Sequence, residues 1–170
     1  MRIVGPEDIV FGVDDVEGCR AYFRDYGLCE TDLGDGGFRL AAADGTSITL
    51  RTSDDPALPP PLASGASLRQ TIWGCENQAA VDEIARELAR DRLVQRHEDG
   101  SIATRDDLNF EIAFRVTTRE PLALEPERVN CPGIAPERPA NVIGVREEAD
   151  ASPLTLSHLV YFTPDAAKME

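Results

Sequence analysis

Apolar and polar positions along this chain switch between a strand period and a helix period, and they do so twice in the same order. Residues 8–13, Asp-Ile-Val-Phe-Gly-Val, form a short apolar run that predicts a strand. Asp14 and Asp15 follow and can cap a helix. Val16, Cys19, Tyr22, Phe23 and Tyr26 then recur at helical spacing, and Gly27 suits a C-terminal stop. Three β-like segments come next, at 29–34, 37–43 and 47–52, separated by Gly-Asp-Gly-Gly and Asp-Gly-Thr turn signals.

The second pass begins with a predicted strand at 67–75. Asn77 can cap a helix whose apolar stripe is Val81, Ile84, Ala85 and Leu88. Strands are predicted at 93–98, 101–105 and 109–117, with turns at Glu98-Asp99-Gly100 and 105–109. Val10 to Asp15 align with Ile72 to Asn77 at an offset of 62. The same offset places Asp44-Gly45 on Asp106-Asp107, and Ile48-Thr49-Leu50 on Phe110-Glu111-Ile112. One offset at both ends predicts a duplicated strand–helix–three-strand unit.

The pattern breaks after residue 118. Residues 119–153 hold Pro121, Pro126, Pro132, Pro136, Pro139 and Pro153 and read as an extended linker, with Asn141–Val145 able to lie along a surface as a short strand. Leu156 to Phe162 then look like another first strand, and Thr163-Pro164-Asp165 can start a helix. The expected organisation is a complete two-unit module at 1–118, a linker at 119–153 and an opening third unit at 154–170. A half-begun unit cannot bury its apolar face. This predicts a longer polypeptide, or a tail packed on the first domain or on a neighbouring chain. The apolar strand of that unit also favours homo-oligomers.

Composition narrows the function classes. The formal net charge of −14 repels phosphate backbones and anionic lipid, so neither nucleic acid nor a membrane surface is an expected partner. No apolar run is long enough to span a bilayer, and the first ten residues do not form a secretory signal. Cys19, Cys29, Cys75 and Cys131 lie far apart and make no C-x-x-C pair; reduced thiols and a cytoplasmic location are expected. Nothing beside Cys131 lowers its pKa, so it receives no catalytic role. No phosphate loop, nucleophile elbow or Cys–His pairing is present, and no catalytic residue can be named.

A duplicated βαβββ unit with these turns resembles the vicinal oxygen chelate superfamily, which includes glyoxalase I, bleomycin-resistance proteins and type I extradiol dioxygenases. The resemblance implies an α+β fold, with paired units forming a curled mixed sheet and helices outside. It covers one module at 8–118 and the start of a second at 154–170, as in the two-module dioxygenases. Metal-facing positions in the family fall on the first and fourth strands of each unit. Carried over, they land on Asp8, Thr49, Gln70 and Glu111. No histidine stands there, and a first-row metal normally wants imidazole, so the first module is expected to be metal-free. His158 stands seven residues before Asp165, as Asp8 does before Asp15 and Gln70 before Asn77. The resemblance therefore implies a metal-ligand role for His158. The remaining ligands of a two-His, one-carboxylate Fe(II) or Mn(II) site are expected beyond residue 170.

Each of these residues also has a plainer role. His158 can be a hydrogen-bonded strand histidine, and Glu111 a solvated residue or a partner for an arginine. Asp8 and Gln70, related by the duplication, are expected to pair across the pseudo-twofold axis and close the sheet; substrate contact is the sharper alternative. His97, beside a turn, is expected to be exposed, while Phe11 and Trp73 suit core packing. The expected function is the N-terminal portion of an extradiol-dioxygenase-like enzyme acting on a small molecule such as an aromatic diol, with this chain alone inactive. The alternative is a ligand-sequestering protein of the bleomycin-resistance type. A third reading, a glyoxalase- or epimerase-type site between chains, needs His158 of one chain to meet Glu111 of another.

Overall fold

The structure is a computed structural model that describes residues 2–62, 65–123 and 152–160. The elements follow the predicted order: β1 (Ile3–Val13), α1 (Val16–Asp25), β2 (Cys29–Asp32), β3 (Phe38–Ala41), β4 (Ser47–Thr52), β5 (Ser67–Cys75), α2 (Gln78–Leu88), β6 (Gln95–Arg96), β7 (Ile102–Arg105) and β8 (Glu111–Val116). The described strands form one 8-stranded mixed sheet in the order β2-β3-β4-β1-β5-β8-β7-β6. The first strands β1 and β5 pair antiparallel at its centre. Each is flanked in parallel by the fourth strand of its own unit, β4 or β8. The sheet is open, with edges at β2 and β6.

Local chemistry sets the boundaries. Asp15 and Asn77 cap the two helices, accepting from the amides of Gly18 and Ala80. Strand β1 starts earlier than the apolar run suggests and crosses Pro6. Its ladder with β5 is irregular on both sides of that residue, where a missing N–H does little harm. Both helices pack on one face of the sheet. Helix α2 buries Ala80, Val81, Ile84 and Ala85 against Cys75 and Ile102. Helix α1 buries no residue fully; its Phe23 and Cys19 are half-buried against Val13, Leu40 and Leu50.

The duplication departs from the single expected offset. Asp15 and Asn77 match at 62, but from the second strand onward the copies match at 64, pairing Phe38 with Ile102 and Ser47 with Glu111. The closing turns prove the shift. Ala42 N–H donates to Thr46 O at 2.8 Å, and Asp106 N–H donates to Phe110 O at 2.9 Å. Gly45 (φ 84°) and Asn109 (φ 66°) hold the same left-handed position. Two extra residues lie after α2, where Arg90 to Arg92 add a hydrogen-bonded turn. Thr49 is therefore not the counterpart of Glu111; Ser47 is.

Residues 152–160 also differ from expectation. The predicted first strand at 156–162 has no strand among its described residues. In the two complete units the first strand lies between its own fourth strand and its twin, and no described strand pairs with residues 152–160. It lies instead against the β3–β4 turn, with Ala43 N–H donating to Pro153 O at 2.9 Å and Asp44 N–H to Leu154 O at 3.0 Å. Most of the expected linker, including Cys131 and Asn141–Val145, and the helix start at Thr163 lie outside the described residues.

Candidate functional site

Strand alternation separates two chemistries. Ile9, Phe11 and Val13 of β1 point to the helices, so Asp8 and Val10 point the other way. On β4, Leu50 packs under α1, which sends Ser47 and Thr49 to the face of Asp8. On β8, Phe114 packs under α2, which sends Glu111, Ala113 and Arg115 to that face. The helix-free face thus collects Asp8, Ser47, Thr49 and Glu111, and Gln70 of β5 lies opposite Val10 beside them.

Asp8 is buried, and both carboxylate oxygens are used. Ser47 Oγ donates to Oδ1 at 3.0 Å, and Thr49 Oγ1 donates to Oδ2 at 2.8 Å. Arg39 Nε donates to Ser47 Oγ at 3.0 Å and extends the network. Burial pushes the Asp8 carboxyl above its ordinary value, although hydrogen bonds from Thr49 and Ser47 and the charges of Arg115 and Arg39 oppose it. In the second unit, Gln70 Nε2 donates to Glu111 Oε1 at 2.7 Å, and Arg105 stands 3.8 Å from Glu111 Oε2. Asp8 and Gln70 do not pair with each other: Asp8 faces Ile72 across the β1–β5 ladder, and Gln70 faces Val10. Each hydrogen-bonds to its own fourth strand, because the parallel β1–β4 and β5–β8 registers bring those side chains closer than the diagonal across the axis.

This donor set does not suit a first-row metal. Each unit offers one carboxylate already engaged by neighbouring donors, and neither position carries imidazole. Among the described residues no group of three His, Cys, Asp or Glu side chains converges. His97 is exposed beside its turn, as expected. His158 is exposed, with Nδ1 3.1 Å from Ser157 Oγ, and borders a cavity of about 230 Å³ with Phe23, Tyr26 and Leu28. Glu111 does not meet it within this chain; instead Glu111 and Arg105 border a different cavity of about 460 Å³, with Arg92 and Leu93 on its wall.

Sequence reasoning missed a second buried carboxylate. Glu7 is 1% exposed and accepts from Thr117 Oγ1 at 2.9 Å, Thr118 N–H at 2.6 Å and Thr118 Oγ1 at 3.0 Å. Arg119 Nε lies 3.6 Å away and Arg115 lies 3.9 Å away. The available signal was a charged residue leading an apolar strand with a glycine, Gly74, where β5 must let it pass. A Cβ at Gly74 would fall on Glu7 Oε2.

No family model matches the chain, and no curated protein matches it in sequence. Solved structures do match in fold. An extradiol ring-cleaving dioxygenase from B. fuscum has 17% identity over 70% of this chain and 34% of its own, with a TM-score of 0.55. A catechol 2,3-dioxygenase has 15% identity over 68% of this chain and 40% of its own, also at 0.55. A xylose isomerase-like TIM barrel/4-hydroxyphenylpyruvate dioxygenase fusion protein has 20% identity over 66% of this chain and 19% of its own, at 0.50. The chain therefore has the vicinal oxygen chelate fold expected from its duplication, and it spans well under half the length of these proteins. No described helix is long and apolar enough to cross a membrane.

Proposed function

We propose that this chain is the N-terminal portion of an extradiol-dioxygenase-like, metal-dependent ring-cleavage enzyme. Residues 1–118 are its metal-free module, and the metal centre lies mainly in a second module that opens near residue 154. The observation that carries this reading is the pairing of the ligand positions: Asp8 with Ser47 and Thr49, and Gln70 with Glu111. Two carboxylates held by hydroxyl and amide neighbours, with no imidazole beside them, support a scaffold role for this face, with the chemistry placed in the second module. His158 supplies the first ligand of the second module, and an Fe(II) or Mn(II) ion held there would chelate the vicinal oxygens of an aromatic diol. The protein is read as cytoplasmic and self-associating.

The test uses a polypeptide that continues past Glu170. It should bind one metal per chain, lose it in His158→Ala, keep it in Glu111→Gln, and cleave catechols. Metal retained in His158→Ala and lost in Glu111→Gln would overturn the reading. So would a continuation without a second His and a Glu at the matching strand positions.

The cavity of about 460 Å³ beside Arg92, Arg105 and Glu111 favours a second reading, a ligand-sequestering protein. Stoichiometric metal in the longer polypeptide argues against pure sequestration.

A further inference from the structure

The β3–β4 turn does more than join two strands. Its central residue, Asp44, meets two distant parts of the chain through its own backbone. Glu120 N–H donates to Asp44 O at 2.9 Å, and Asp44 N–H donates to Leu154 O at 3.0 Å. The chain therefore leaves the module and returns to it at the same residue. Two positions on, Thr46 holds the returning segment again. Thr46, fully buried, accepts from Leu156 N–H at 2.7 Å while its hydroxyl donates to Asp44 Oδ1 at 2.6 Å. Arg119 closes the junction from the segment that follows β8, donating to Pro6 O and reaching Leu156 O at 3.5 Å.

We propose that Asp44, Thr46 and Arg119 form a clamp that fixes Pro153–Leu156 on the first unit, so that the excursion of the chain between Pro121 and Ser152 starts and ends at one turn. The clamp sets where the chain resumes. Two residues beyond Leu156, His158 stands at the border of the groove lined by Phe23, Tyr26 and Leu28. If His158 is a metal ligand, which rests on the function proposed above, Thr46 and Arg119 are positioning residues for it. They would hold the second module at a fixed place beside α1 whatever the length of the excursion. A tether closed at both ends loses little entropy on shortening, because closure cost grows only slowly with loop length.

Hydrogen exchange on the 170-residue chain tests the clamp without any metal, so its failure is separable from failure of the proposed function. Thr46→Val removes the acceptor of the Leu156 amide and should speed its exchange by about tenfold or more, while Thr46→Ser should keep it within about threefold of the parent. The Val10 amide, in the central ladder, reports whether the module stays folded. A splice replacing residues 122–151 with a four-residue Gly-Ser linker, which reaches roughly 13–14 Å, should leave both amides protected. Unchanged Leu156 exchange in Thr46→Val would overturn the clamp. Loss of Leu156 protection in the splice while Val10 stays protected would overturn it too. If Thr46→Val unfolds the module, seen as fast exchange at Val10, the splice decides.

Discussion

At the residue scale, the molecule is governed by how its buried carboxylates are satisfied. Asp8 and Asp44 are shifted in opposite directions, and the signs of their pH effects differ. Burial raises Asp8 in the folded state despite the hydroxyls of Thr49 and Ser47. Its contribution to stability is therefore greatest below the unfolded carboxylate pKa of about 3.9 and declines as pH rises through the folded value. Asp8→Asn should melt higher than the parent at pH 7, with the gap shrinking below about pH 4 in thermal scans. A lower melting temperature at pH 7 would mean that the ionised form is the better-satisfied one. For Asp44, burial also works upward, but hydrogen bonds from Thr46 and Thr155 and the charge of Arg119 outweigh it and hold the carboxyl below its usual range. That stabilisation is present above the unfolded pKa and is lost as pH falls through the folded value, so the junction should loosen in acid. Thr49→Val leaves Asp8 Oδ2 without its donor and should cost about 1–3 kcal/mol by denaturant unfolding. The sequence made Asp8 and Glu111 visible as charges on apolar strands. It did not reveal their partners, because those depend on the parallel registers β1–β4 and β5–β8, which no local pattern encodes.

At the element scale, the two units are related but unequal. Helix α2 seats Val81 and Ile84 in the core, whereas α1 leaves Tyr22 63% exposed and its C-cap residue Tyr26 59% exposed. Ile84→Ala should cost about 2–4 kcal/mol through lost burial and the cavity left behind. Tyr22→Ala should cost less than about 1 kcal/mol, since little is buried beneath it. Equal losses in urea unfolding would contradict this division. Gly74→Ala should also destabilise, by roughly 1–3 kcal/mol, because the new methyl displaces the Glu7 carboxylate from its hydrogen bonds. Element order and type were legible because period and turn residues agree twice over. The register of the second unit was not. Asp44 and Asp106 match by residue type yet occupy different places in their turns, and the true marker is the left-handed residue, Gly45 in one copy and Asn109 in the other. Asparagine signals that conformation more weakly than glycine, so the two added residues after α2 escaped notice.

At the scale of the whole molecule, the fold places four strand positions on one helix-free face, and the side chains there have turned inward on one another. The donors on that face are two engaged carboxylates with hydroxyl and amide partners. His158 stands apart from them, beside α1, on a segment clamped to the first unit. The most direct measurement of this account is metal content. The purified 170-residue chain would be loaded anaerobically with Fe(II) or Mn(II), desalted, and assayed for metal per chain. The account predicts less than about 0.1 equivalent, since carboxylates already hydrogen-bonded to the protein and no imidazole make a poor first-row site. About one equivalent per chain, abolished by Glu111→Gln or Asp8→Asn, would contradict it.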